Sequence, residues 1–203
     1  MIKATFTLRG ITPYSASRYV DIEVKANETH DAADKRVWRD KAHFVQAGKK
    51  PADTDEVYIP AVQLRRALFA TAKYLSIKIP GGGQATYTKH FEQGIVVRNA
   101  LNADARPIGI GVTRGDIDPV DVMCSSTGNK SGKGGCIVPR RFPIAPLWAQ
   151  PFEVSIHDDK ITEEIFTRVL KEAGMFNGLG RWRPQNGGDN GRFVVEELTF
   201  TQQ

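Results

Sequence analysis

Three features of this 203-residue chain predict an α+β fold: an antiparallel, ferredoxin-like sheet with helices on one face. An alternating strand opens the chain and another closes it. Two amphipathic helices lie between them. Late in the chain, two strand-like arms flank a glycine-rich stretch, the pattern of a projecting hairpin. The same sheet layout serves RNA-recognition domains.

Ile2 to Leu8 alternates Ile2, Ala4, Phe6 and Leu8 against Lys3, Thr5 and Thr7, the period of a half-buried strand. Arg9-Gly10 ends it, and Thr12 to Tyr19 reads as a loop in which Tyr14, Arg18 and Tyr19 form an aromatic–basic group. His30 to Val45 reads as a helix, with Thr29 suited to its N-cap and Asp31 and Asp34 to its first turn. Its apolar content is thin, which makes it a peripheral helix inside an insertion over about 25–55.

Ala61 to Leu75 is a second helix, burying Leu64, Leu68, Thr71 or Ala72, and Leu75. Ala85 to Glu92 fits helix or loop equally. Gly94 to Val97 and Ile108 to Val112 read as strands. Val120 to Cys124 and Cys136 to Phe142 read as hairpin arms over about 120–142. Leu147 to His157 reads as a strand interrupted by Pro151. Thr162 to Ala173 is a helix capped by Thr162, favoured by Glu163 and Glu164 at its start and closed by Gly174. Phe193 to Phe200 is the last strand. All of this fits one domain over 1–203.

Lys and Arg number 28 against 23 Asp and Glu, a net charge of +5. The distribution says more than the total. Val122 to Phe152 contains no acidic residue but holds Lys130, Lys133, Arg140 and Arg141, a segment suited to a polyanion. Two glycine-rich basic stretches stand out, Ser125 to Gly135 and Gly178 to Arg192. Glycines such as Gly178 and Gly180 let backbone approach a ligand and leave N–H groups free. Arg181, Arg183 and Arg192 supply phosphate contacts, and Trp182 offers a stacking plane.

Catalytic patterns are poor. Gly-x-Ser-x-Gly and the Walker motif are absent, and Gly178-Leu179-Gly180 lacks the third glycine of a dinucleotide fingerprint. Two cysteines, Cys124 and Cys136, and four scattered histidines show no zinc-ligand spacing, so no metal or cofactor is expected. Met1 to Phe6 opens directly into strand alternation rather than a secretory signal, and no apolar run spans a membrane. The expectation is a cytoplasmic setting with reduced cysteines and no membrane partner.

Two stretches and the hairpin resemble a known superfamily. Tyr58-Ile59-Pro60-Ala61-Val62-Gln63-Leu64-Arg65-Arg66-Ala67-Leu68 is similar to a helix start of the repeat-associated mysterious proteins. These include the CRISPR-RNA-binding backbone subunits of CRISPR effector complexes. Gly178 to Phe193 resembles the superfamily's C-terminal glycine-rich loop, and the hairpin around Ser125 to Gly135 stands where backbone subunits carry a thumb. The family's glycine loop after the first strand is missing; Ile11-Thr12-Pro13-Tyr14 takes its place. Residues 29–43 resemble a phage-encoded family of unassigned function, which suits a stand-alone relative.

The resemblance implies single-stranded RNA held on a ferredoxin-like core. It also implies head-to-tail assembly with copies of itself or with CRISPR-type subunits in a bacterial cytoplasm. Arg65 and Arg66 would meet phosphates from the helix start, Lys130 and Lys133 from the thumb. Arg18, Lys89 and His90 complete the expected contacts. The function read from the sequence is non-catalytic binding of single-stranded RNA or DNA. The alternatives are an endoribonuclease using His30, His43 or His90, and a protein-interaction module or decoy subunit acting on a CRISPR complex.

Overall fold

The structure, a computed structural model, describes residues 1–45, 50–125 and 137–202, with the backbone alone at 123–125 and 137–139. The glycine-rich stretch between the hairpin arms, with Lys130, Lys133 and Cys136, lies outside the described residues, as does the Cys124 side chain.

In chain order the elements are β1 (Ile2–Gly10), β2 (Tyr14–Ser15), α1 (His30–Arg36), α2 (Ala61–Leu75), α3 (Thr88–Gln93), β3 (Ile95–Asn99), β4 (Asp118–Ser125), β5 (Ile137–Ala145), β6 (Ala149–Ile156), α4 (Glu163–Glu172) and β7 (Phe193–Gln202). One sheet has the order β3-β6-β1-β7, each neighbouring pair antiparallel. Its strands and main helices follow one another as β1-α2-β3-β6-α4-β7. That is the split βαβ arrangement of a ferredoxin-like α+β fold. A second, three-stranded sheet has the order β2-β5-β4, with β4 and β5 paired antiparallel from Asp118↔Ile144 to Ser125↔Ile137.

The core follows from strand alternation. Ala4, Phe6 and Leu8 of β1 and Phe152, Val154 and Ile156 of β6 point to one face and are buried. Leu64 and Leu68 of α2 and Phe166, Val169 and Leu170 of α4 join them in the same core cluster. Phe166 stacks on Phe91 of α3 with ring centroids 6.4 Å apart and meets Phe6 at 6.2 Å. Each such buried aromatic contributes roughly 1.5–3 kcal/mol.

The structure departs from the sequence reading at four places. The helix from His30 stops at Arg36, although Thr29 caps it by accepting from Ala32 N at 3.2 Å. The chain leaves helical geometry at Val37 and makes a 3₁₀ turn over Trp38–Lys41, which buries Trp38 and Lys41. The segment is therefore built into the fold rather than peripheral. Ile108 to Val112 joins neither sheet. Its Ile110 N donates to Val57 O at 2.8 Å and Val112 O accepts from Val57 N at 2.8 Å. Gly111 at φ +79° turns the chain there.

Pro151 does not interrupt β6. Its carbonyl points toward Ala100 N (3.3 Å), so its ring nitrogen faces the same edge, just past Asn99↔Phe152 where the β3 ladder ends. Finally, Gly174 does not close α4. The helix continues as a π turn over Ala173–Asn177 and ends at Gly178, φ +67°. A Cβ at Gly174 would collide with Phe193 O, so its smallness serves strand packing.

Candidate nucleic-acid interface

The loop between α4 and β7 is held by its own backbone. Arg181 N donates to Ser15 O at 2.7 Å, Leu179 N to Gly191 O at 2.9 Å, Gly191 N to Pro13 O at 2.8 Å, and Asn190 N to Trp182 O at 3.0 Å. Two glycines are demanded by close approach. Gly180 has φ +81°, and a Cβ there would strike Ser15 O and the Tyr14 ring 2.7 Å away. Gly191 has φ +73°, and a Cβ would strike Leu179 O. The expectation that Gly178 leaves its N–H free for a ligand is not met. Gly178 is buried, and its N–H donates to Ala173 O at 2.8 Å. What the frame presents outward is side chains: Arg181, Trp182 and Arg183, all half-buried.

Of these, Arg181 borders a cleft of about 440 Å³ lined also by Arg18, Tyr19, Lys41, Arg140 and Phe142, among others. Three of the sequence-predicted cations, Arg18, Arg140 and Arg181, thus converge from three distant segments. Lys41 joins them. It is buried beside Asp34, donating to Asp34 Oδ2 at 2.7 Å and to Arg141 O at 2.7 Å. Arg140 reaches the other oxygen, Oδ1, at 3.2 Å. Lys41 Nζ stands 4.5 Å from the Phe142 ring centroid and Arg181 Cζ stands 4.0 Å from it. Trp182 meets the same ring edge-on at 5.1 Å.

Among the described residues, the charged side chains lining this cleft are four cations and one carboxylate. Burial pushes the Lys41 ammonium below the usual lysine range; Asp34 works against that, while Arg140 and Arg181 add to it.

The remaining predicted residues are distributed as follows. Tyr14 is core: burial raises its phenol, and Gln63 Nε2 donates to its oxygen at 3.0 Å. Arg183 donates to Gly180 O at 3.0 Å and to Gln185 Oε1 at 2.8 Å; burial and then nearby Arg66 lower its guanidinium from the ordinary value. Arg192 donates to Met175 O at 2.5 Å. Arg141 is engaged bidentately by Asp121, both contacts 2.8 Å, so it is tied within the hairpin ladder. Arg65 donates to Glu92 O at 3.0 Å and is drawn toward α3.

Lys89 and His90 lie apart from the cleft. The loop side of the sheet is marked by Gly10↔Phe193, whereas His90 sits beside Gly94 and His157, where Ile95 pairs with Ile156. The two ends are separated by the length of β1, about 26 Å at strand rise. His90 Nδ1 hydrogen-bonds Asp158 Oδ2 at 2.5 Å, tying α3 to the turn after β6. The Asp158 carboxyl lies below its usual range: burial would raise it, but the His90 hydrogen bond outweighs that together with Lys160. His30 is exposed, and burial, with Arg18, lowers His43 from the ordinary histidine value.

Lys41 and Phe142 were missed in the sequence because neither has a glycine or aromatic neighbour pattern; only the 3₁₀ turn and the β5 register bring them together. Among the described residues, no group of three or more His, Cys, Asp or Glu is placed to hold a metal ion, and no helix is long and apolar enough to cross a membrane.

No protein-family model matches the chain, and no curated protein matches it. Among solved structures, it is similar to a chain in the cryo-EM structure of the Type III-B Cmr-beta bound to cognate target RNA, with 14% sequence identity and a TM-score of 0.46. The match covers 98% of this chain and 61% of that chain.

Proposed function

We propose that the protein is a non-catalytic binder of single-stranded nucleic acid, RNA before DNA, and that phosphates enter the cleft between Arg18, Lys41, Arg140 and Arg181. One observation carries this reading: Arg18, Lys41, Arg140 and Arg181 converge on an open cleft whose described lining holds one carboxylate, Asp34, paired with Lys41 and Arg140. Such a concentration of positive charge around a buried lysine suits a bound polyanion. The exposed Tyr19 on the same wall gives a base a surface to stack on. The sequence resemblance of residues 58–68 and 178–193 to the repeat-associated mysterious proteins favours RNA and head-to-tail assembly along the strand.

The test is fluorescence anisotropy with labelled single-stranded RNA across a salt series. Arg140→Ala with Arg181→Ala should weaken binding about 100-fold at low salt, on all sequences alike. The slope of log affinity against log salt should fall by about 1.4, two phosphate contacts' worth. Unchanged affinity in the double variant would remove the cleft from the interface.

A further inference from the structure

We propose that Tyr74 and Phe176 form a base-stacking platform for the same single-stranded nucleic acid, on the helical side of the molecule. The inference rests on the binding function proposed above and adds a surface that neither glycine-rich stretch contains.

Of the aromatic residues, all of which are described, three are exposed: Tyr19 at 85%, Tyr74 at 70% and Phe176 at 55%. Tyr19 belongs to the cleft. The other two form a pair, ring centroids 6.0 Å apart and planes 35° from parallel. Two large rings left side by side in water, with Met175 beside them at 44% exposure, are surface that the core does not use.

Their support is rigid. Asn177 Nδ2 donates to Ala67 O at 3.1 Å and to Thr71 Oγ1 at 2.7 Å, which clamps the π turn carrying Phe176 onto α2. Tyr74 sits on α2 itself. A platform mounted this way presents its rings at little conformational cost.

The charge around it selects the occupant. Arg66, Ala70 and Tyr74 recur at four-residue spacing and form one stripe along α2, a helix with no acidic residue. Arg66 lies close enough to Arg183 for its charge to depress that guanidinium, so the stripe begins at the loop. At the other side of the rings, Arg192 donates to Met175 O at 2.5 Å. Lys73 is exposed beside Tyr74. The carboxylates in the flanking segments are Asp189, which sits 3.5 Å from Arg192, and Glu172, one turn before Phe176. Cations flanking exposed π faces match a strand whose phosphates and bases alternate. They do not match an apolar protein surface, which would leave those charges unpaired at its rim.

The experiment uses the full chain and single-stranded RNA with 2-aminopurine at successive positions. Bound to the wild-type protein, one or two positions should show quenched fluorescence from stacking. Tyr74→Ala with Phe176→Ala should weaken affinity about tenfold and abolish that quenching. It should leave the salt slope unchanged, since no phosphate contact is removed. Tyr74→Phe should bind as wild type. Both truncated side chains are exposed, and a thermal melt checks that the variants fold.

The proposal is overturned if the double Ala variant keeps wild-type affinity and quenching while the Arg140/Arg181 variant loses binding; the cleft reading then stands alone. It is equally overturned if the double Ala variant changes only the oligomeric size on a column, which would make the patch a protein contact. A wild-type protein that ignores single-stranded RNA in dilute buffer removes the binding function and the platform together.

Discussion

The open face of the four-stranded sheet and the cleft at its loop end both carry lysine and arginine, but they neutralise them differently. On the sheet, the face away from α2 and α4 is threonine-rich, with Thr5, Thr7, Thr199 and Thr201. Two of its cations are matched one to one, Lys3 to Glu153 at 2.9 Å and Arg9 to Glu196 at 2.6 Å, and exposed Arg98 stands opposite Glu153 in the β3–β6 register. Among the described residues of that face there is no aromatic side chain. Sheets that bind RNA in this layout stack bases on aromatics there. At the cleft, Lys41 and Arg140 both pair with Asp34, Arg18 and Arg181 line the same wall, and aromatic rings stand among them. The layout of an RNA-recognition sheet is therefore present without its surface chemistry, and the chemistry stands at one end instead. A net charge of +5 describes neither region; local pairing does.

Three changes test that contrast beyond the cleft and platform variants. The largest effect is expected at Gly191→Ala. A Cβ would strike Leu179 O at a positive φ, so stability should drop by about 3 kcal/mol in denaturant titration. RNA binding by the folded fraction should fall with it, because Arg181 loses its frame. A silent Gly191→Ala would mean that the loop's backbone frame does not set the cleft.

The next is a pH effect. Lys41 holds its proton less readily folded than unfolded, so the unfolded chain binds more protons just below the ordinary lysine value of 10.5, and stability rises with pH in that window. Tyr14, raised by burial, acts oppositely above 10: the folded chain keeps its proton and stability falls as pH climbs further. Denaturant midpoints from pH 8 upward should rise and then turn down in wild type. Lys41→Met should abolish the rising limb.

The smallest effect belongs to the sheet. Lys3→Ala and Arg9→Ala remove exposed pairs, each worth about 0.5 kcal/mol or less, and should shift RNA affinity less than about twofold. A larger loss would return the sheet face to the interface.

The first and last strands and both main helices were legible because the periodicity, and for α4 the cap, agree locally. Ala61 to Leu75 has its apolar stripe within one unbroken run, and Thr162 caps α4 by accepting from Ile165 N at 3.3 Å. The cleft was half legible. Arg18, Arg140 and Arg181 stood out as charges in loop or basic contexts. Lys41 did not, because its position depends on a helix that breaks at Val37 in order to bury a charge pair, a tertiary event that local propensity does not encode. The glycines misled in a particular way. Gly180 and Gly191 are needed, but by Ser15 O, the Tyr14 ring and Leu179 O rather than by a ligand. Sequence shows that backbone must come close to something; it does not say to what.

Asp34 fastens two parts of the chain that are a hundred residues apart. One of its oxygens takes Lys41, which also hooks the Arg141 carbonyl, and the other takes Arg140, so the middle of the β4–β5 ladder is riveted to the 3₁₀ turn. Loss of that one carboxylate would unpin the turn and the hairpin wall at the same time.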